Sequence, residues 1–381
     1  MEKTTMIDGK QFFAIAFLYI MCNDLIRGHY VGEIKQDIWV ANLLGLLGGV
    51  LLYLIYFLIY KKSGCSSFTE AIEHILGKFL AKVVFAIYII YSLVLITTVI
   101  ANVISKIDIY LLEGIPFYLL GFILLLTASY IVIKGVETLG RTCFIVFITT
   151  SLTLILLLFT SVLTNKVDFG YIKPILAEGF GKVIAPSLKM SYAVPFGESF
   201  SLLIIFQHVN NKTKNYKYGA FGLILAGIFM NISSFLCLFV LGQHGFLHFV
   251  NPSLQLASQI KYKNFIQRLD IIVMYILVIF VIIRFAILLF NSLTLLKTFI
   301  KFPSSKDFIP LLIICIIIAI ASEFIVNNFN EFSYFNRCFI NDNIKLILEV
   351  GIPFLIILIS FFRKKKNPQK QLNVAIPQII N

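Results

Sequence analysis

One apolar run contains three residue types that are costly inside a membrane: Tyr192-Ala193-Val194-Pro195-Phe196-Gly197-Glu198 places a proline, a glycine and a carboxylate near mid-segment. Proline removes a backbone donor and clashes with the preceding turn, so this run is a poor unbroken lipid-facing helix. Backbone N–H and C=O groups freed at such a break, aided by the dipoles of the half-helices, can receive the carboxylate, ammonium or ion of a small ligand. The competing reading is a simple proline kink. A second polar cluster, Met21-Cys22-Asn23-Asp24-Leu25-Ile26-Arg27-Gly28, closes the first apolar run. That run is only about 16 residues, short for a span. Asp24 and Arg27 either pair at the interface or leave Asp24 to contact a ligand. The candidate ligand contacts are therefore Cys22, Asn23 and Asp24 in the first run, and Tyr192, Val194, Pro195, Gly197 and Glu198 in the sixth. Arg284 joins them. At 1.5 Å per residue it lies about 21 Å into its own run, nearly the depth of Glu198. An intramembrane charge usually faces a partner or a water-filled cavity, so a Glu198–Arg284 pair is expected, against two separately solvated charges. Glu349 sits shallower in the last run and reads as interfacial.

Transmembrane helices must position these residues. The chain has 381 residues, 59% hydrophobic and 13% charged, with a mean hydropathy of +0.93. This excludes a soluble domain and intrinsic disorder. Apolar runs of about 20 residues without polar alternation favour helices over a barrel. The runs fall at about 11–26, 38–60, 83–107, 117–133, 142–163, 185–209, 218–241, 270–296, 309–324 and 344–362, giving about ten spans. The expectation is an all-α membrane protein with a single integral membrane domain over 1–381. Its first five spans cover about 11–163, its second five about 185–362, and residues 363–381 form a basic tail. An even span count puts both termini on one side, and the excess of Lys and Arg there makes that side cytoplasmic. The N-terminus lacks a cleavage-site pattern and reads as a retained span.

The net charge of +13 consequently faces the cytosol. Arg363-Lys364-Lys365-Lys366 reads as an anchor beside anionic membrane lipid, and nucleic acid is not an expected partner. Interrupted first and sixth helices are a mark of inverted-repeat transporter folds, in which substrate sits at the breaks. Ala41, Gly45 and Gly49 in span two, matched by Gly222 and Ala226 in span seven, suggest a shared close-packing face, or generic small-residue packing. Ser67-Phe68-Thr69-Glu70 has capping-box spacing and opens a surface helix expected to reach about Lys82. Loops 164–181 and 242–269 are long enough to act as lids over the opposite face. The six cysteines form no CxxC pair, and His244 and His248 have no third ligand, so no metal or other cofactor is expected. Paired catalytic carboxylates, HExxH, GxSxG and GxGxxG are missing, which argues against an enzyme.

The sequence resembles the membrane-embedded B subunit of bacterial spore germinant receptors, the GerAB-type proteins, along nearly its whole length. The resemblance rests on Lys35-Gln36-Asp37-Ile38-Trp39, Gly135-Val136-Glu137-Thr138-Leu139-Gly140-Arg141, Pro195-Phe196-Gly197-Glu198, Arg268-Leu269-Asp270 and the basic residue at Arg284. That family belongs to the amino acid, polyamine and organocation transporter superfamily. The resemblance therefore implies a LeuT-type five-plus-five inverted repeat with helices one and six discontinuous. It further implies a nutrient sensor in the inner membrane of the spore, partnered by a larger A subunit and a lipoprotein C subunit and triggered by a small-molecule nutrient germinant. The alternative is a secondary permease for an amino acid or similar solute, proton-coupled through Glu198. Near the first break, family members generally carry glycines and a proline, where this chain has Cys22 and Arg27.

Overall fold

The computed structural model describes residues 6–27, 34–65, 67–110, 116–163, 167–249, 251–260, 268–300, 303, 306–327 and 343–363. The helices are α1 (Gly9–Arg27), α2 (Ile38–Ser63), α3 (Phe68–Leu76), α4 (Lys78–Tyr110), α5 (Phe117–Lys134), α6 (Val136–Leu163), α7 (Gly181–Tyr192), α8 (Leu202–Phe206), α9 (Lys212–His248), α10 (Pro252–Gln259), α11 (Leu269–Leu296), α12 (Phe308–Asn327) and α13 (Ile352–Phe362). Among the described residues, seven helices are long and apolar enough to cross a membrane: α2, α4, α5, α6, α9, α11 and α12. Together with α1, the interrupted segment 181–206 and the terminal stretch Leu346–Phe362, they match the apolar runs read from sequence. The protein is a multi-pass membrane protein.

The first span is buried all round over residues 14–23, whereas the peripheral spans bury one face and leave an apolar stripe outward. On α6, Ile145, Ile148, Leu152, Ile155, Phe159 and Val162 are all exposed at alternating three- and four-residue steps. Such a stripe suits lipid, since water would penalise it. Inside, α1 packs most extensively on α9 and α7 on α2, while α4 meets α11 and α5 meets α12. Exchanging spans one to five with six to ten converts the first pair into the second and each of the others into itself, as an inverted repeat requires. Small residues permit both principal contacts. A Cβ on Gly45 would lie 2.8 Å from the Met190 Cβ in α7, and one on Gly222 would lie 2.6 Å from the Phe13 carbonyl oxygen in α1.

Two expectations need correction. The first helix is continuous from Gly9 to Arg27, running straight through Cys22 and Asn23. Between those ends it contains no proline or internal glycine to interrupt the i→i−4 ladder, so the polar cluster alone does not break it. The surface helix opened by Ser67 also ends early, at Leu76, because Gly77 turns the chain at φ +85° before α4 begins. Its cap forms as expected, with the Ser67 hydroxyl accepting the Glu70 N–H at 3.2 Å. Ser67→Ala should therefore cost α3 about 0.5–2 kcal/mol, seen as faster hydrogen exchange in α3 amides with the spans unchanged.

The two ends of the bundle are closed differently. At the N-terminal end, Ile7 clasps the segment after α8: its N–H donates to the His208 carbonyl at 3.0 Å, and the Asn210 N–H donates to the Ile7 carbonyl at 2.9 Å. At the distal end, loop 167–180 lies over the bundle as a cap. Gln36 Nε2 donates to the Pro174 carbonyl at 2.7 Å, and Asp37 accepts the Leu176 N–H at 2.9 Å. Gln243 Nε2 reaches the Tyr171 and Lys173 carbonyls at 3.0 and 3.1 Å. Glu178 binds Lys182 at 2.6 Å and Lys35 at 2.9 Å. Hydrogen bonds and charge from Lys182 and then Lys35 hold the Glu178 carboxyl down at about 2. Because that value is depressed, the tether is complete above the ordinary glutamate range near 4.3 and is lost as pH falls through it toward about 2. Limited proteolysis of this loop should accelerate across that window in wild type and show no such step in Glu178→Gln.

Candidate functional site

Span six is interrupted where proline and glycine predicted it. Helix α7 ends at Tyr192, residues 193–196 turn through a cis Val194–Pro195 bond, and a 3₁₀ turn over Gly197–Ser201 leads into α8. Glu198 is the second residue of that turn and is 1% exposed. One carboxylate oxygen takes the Arg284 guanidinium from α11, and the other takes the Lys345 ammonium from the start of the last span. All three side chains are sealed from solvent, so charge neutralisation is obligatory. The expected pair is thus present within a triad. Asn23 joins it to α1: its amide oxygen accepts from Arg284, and its Nδ2 donates to the Pro195 carbonyl at 3.2 Å. Arg284 also lies over the Tyr19 ring, 5.2 Å from its centroid.

Carbonyls released by the interruption are bonded from neighbouring spans. Tyr60 in α2 donates to Leu203 at 2.6 Å, Asn291 in α11 to Ser201 at 2.9 Å, and Tyr56 lies 3.4 Å from Gly197. The last span is irregular as well, with a π-helical turn over Leu346–Gly351. Tyr88 and Tyr56 donate to its Leu348 and Glu349 carbonyls at 2.7 and 2.5 Å, and Tyr91 donates to the Glu349 carboxylate. Glu349 is 1% exposed, so its interfacial reading is overturned: the packed bundle carries that turn inward. The break is consequently a built polar centre with distant helices supplying its donors, more than a kink left by proline.

The structure unites Asn23, Pro195, Glu198 and Arg284. Gly197 allows the Tyr192 carbonyl to approach, Cys22 is buried beside Asn23, and Tyr192 and Val194 are half-buried in the interruption. The Asp24 and Arg27 side chains lie outside what the structure describes, as do Cys338 and the tail beyond Arg363. Sequence reading missed Lys345 and the tyrosines. Two signals were available: Lys345 and Glu349 are four apart on one helical face, and Tyr53, Tyr56 and Tyr60 repeat at helical spacing along α2. Among the described residues no group of three or more His, Cys, Asp or Glu could hold a metal ion. Three polar atoms around the centre, Arg284 Nε, Ser199 Oγ and Glu349 Oε2, are buried and without hydrogen-bond partners. Buried groups left this way ordinarily mark bound water or a ligand.

Comparison with known proteins agrees with this architecture. A family described as spore germination protein matches residues 7–331. Spore germination protein KB of Bacillus subtilis (strain 168) is 24% identical over 375 residues, covering 97% of this chain and 98% of the relative. A putative spore germination protein of the same organism, YfkT, is 24% identical and covers 72% of this chain and 74% of its own. Among solved structures, a Na⁺-coupled sialic acid symporter in a substrate-bound outward-open state superposes with a TM-score of 0.56. It is 14% identical and spans 94% of this chain and 79% of its own. That likeness places the chain in the LeuT-type fold.

Proposed function

The chain belongs to the spore germination protein family, and from that premise we propose that it is the nutrient-sensing membrane subunit of a spore germinant receptor. A small polar germinant, such as an amino acid, binds where span six is interrupted against α1 and shifts the bundle between two packings. The shift is limited by its differential affinity for them. The observation that carries this reading is the sealed Glu198–Arg284–Lys345 centre with three unsatisfied polar atoms around it. The binding set comprises Cys22, Asn23, Asp24, Tyr192, Val194, Pro195, Gly197, Glu198 and Arg284, to which Lys345 is added. On this reading 1–381 is one membrane domain of two repeats, about 11–163 and 185–362, in the inner membrane of the spore. Its termini are cytoplasmic and its distal cap faces outward. An A subunit and a lipoprotein C subunit complete the receptor.

The test uses spores in which this gene is the only receptor, comparing wild type, a clean deletion and Glu198→Asp at matched membrane level across a nutrient panel. Aspartate keeps the charge but is too short to span both cations. Loss of response to one nutrient class in both altered strains is expected; unchanged germination in both rejects the proposal. The symporter-type fold favours a second reading, a solute permease coupled to protons through Glu198. Solute uptake that falls in the deletion while germination is untouched would select it.

A further inference from the structure

Helix α9 bends at Gly242, whose φ of +69° suits glycine, and then resumes as a short helical turn ending at His248. His244 and His248 are four residues apart in that turn and so share one face. The bend comes before both residues and leaves their register intact. Both are exposed, and their ring centroids lie 4.1 Å apart with the planes tilted by 33°. His248 Nδ1 lies 2.8 Å from the His244 carbonyl oxygen. A carbonyl can only accept, so Nδ1 carries the proton and donates it, and in the neutral ring Nε2 keeps its lone pair. A metal-ligating imidazole characteristically gives its other N–H to a backbone carbonyl or carboxylate in this way. Among the described residues no side chain hydrogen-bonds to His248 Nε2 or to the His244 ring. Two metal–nitrogen bonds of about 2 Å to one ion need nitrogens about 3 Å apart. Rings already in contact reach that spacing by small side-chain rotations.

We propose that His244 and His248 form a surface site for a divalent transition-metal ion of the Zn²⁺ type. Imidazole pairs suit Zn²⁺, Cu²⁺ and Ni²⁺, whereas Mg²⁺ and Ca²⁺ require oxygen ligands. With two protein ligands, water completes the coordination and the ion is exchangeable. The consequence reaches the distal cap. Gln243, the residue before His244, holds the Tyr171 and Lys173 carbonyls, and the Tyr171 ring lies against Gly242 itself. An ion joining His244 to His248 fixes the turn that carries Gln243. Because it binds the formed turn and not the opened one, it stabilises that turn by linkage. The ion thereby braces loop 167–180 from residues that the Glu198 centre does not use.

The test titrates the purified, untagged full-length chain in detergent with ZnCl₂ by calorimetry, with MgCl₂ as the hard-cation control. Saturable Zn²⁺ binding is expected, and none of Mg²⁺. His244→Ala and His248→Ala, both exposed substitutions, should each weaken Zn²⁺ by about 10–100-fold or more, since losing a ligand costs at least as much as losing an outer-shell partner. Combining them should add little, because either one alone destroys the pair. Chymotrypsin reads the effect on the cap. Cleavage after Phe169 and Tyr171, both exposed, should slow several-fold at saturating Zn²⁺ in wild type and stay constant in His244→Ala. The site is overturned if wild type shows no saturable Zn²⁺ binding, if Mg²⁺ binds equally, or if both single variants bind like wild type. Cleavage that Zn²⁺ slows equally in wild type and His244→Ala, or in neither, overturns the bracing of the cap. None of these outcomes depends on what the Glu198 centre binds.

Discussion

Glu198→Gln is expected to be the most damaging single substitution in the chain, costing about 3–5 kcal/mol. It strands the Arg284 guanidinium and the Lys345 ammonium together, both fully buried, with their shared counter-charge removed. Arg284→Met should cost less, because Glu198 keeps Lys345. The physical claim is sharpest in the combined variant Glu198→Met with Arg284→Met and Lys345→Met. Replacing a whole buried ionic cluster by apolar groups of similar volume is often neutral or stabilising. The triple variant should therefore regain membrane abundance and thermal stability while remaining unresponsive to nutrient. Thermal unfolding in detergent, read beside germination of sole-receptor spores, separates the two effects. A triple variant as unstable as Glu198→Gln would show that the charges are structurally required, and one that germinates normally would remove them from sensing.

Gly197→Ala is expected to have the next largest effect. A Cβ there would overlap the backbone carbonyl of Tyr192, and backbone cannot rotate away as a side chain can. Overpacking typically costs about 1–3 kcal/mol, more when the neighbour is rigid. The same displacement would move Glu198, the next residue, away from Arg284 and Lys345. Reduced accumulation is expected, with loss of nutrient response in whatever protein accumulates. Gly121→Ala is the control: its Cβ would meet the Ile100 and Ile104 side chains at 3.3 and 3.4 Å, and these can adjust. Equal stability and response in both variants would mean that the interruption tolerates widening and that its tight geometry has no role.

Much of the site was legible before any coordinates. Pro195 and Gly197 announce the interruption through local backbone chemistry, and counting residues into two parallel-running spans placed Glu198 and Arg284 at one depth. Depth along a helix says nothing about which way a side chain faces, however. Lys345 was therefore overlooked near a span end, and Glu349 was assigned to the interface although Tyr91 holds it inside. The continuity of α1 shows the converse error: polar residues at a span end suggested a break, but without proline or glycine the helix persists. Ala41, Gly45, Gly49, Gly222 and Ala226 hinted at repeat symmetry. Only their partners, span six for Gly45 and span one for Gly222, give the hint geometric content.

By itself, the sequence determined the membrane class, the approximate spans and the place where span six must break. These depend on apolar transfer free energy and backbone hydrogen bonding, which accumulate locally along the chain. Tertiary structure alone decided that Asn23, Glu198, Arg284, Lys345 and Glu349 share one polar centre, that tyrosines from α2 and α4 bond the released carbonyls, and that loop 167–180 closes over the distal end of the bundle. Those outcomes depend on which helix faces meet. Packing sets that choice among residues hundreds of positions apart, and burial then forces each buried charge and carbonyl to find its partner there.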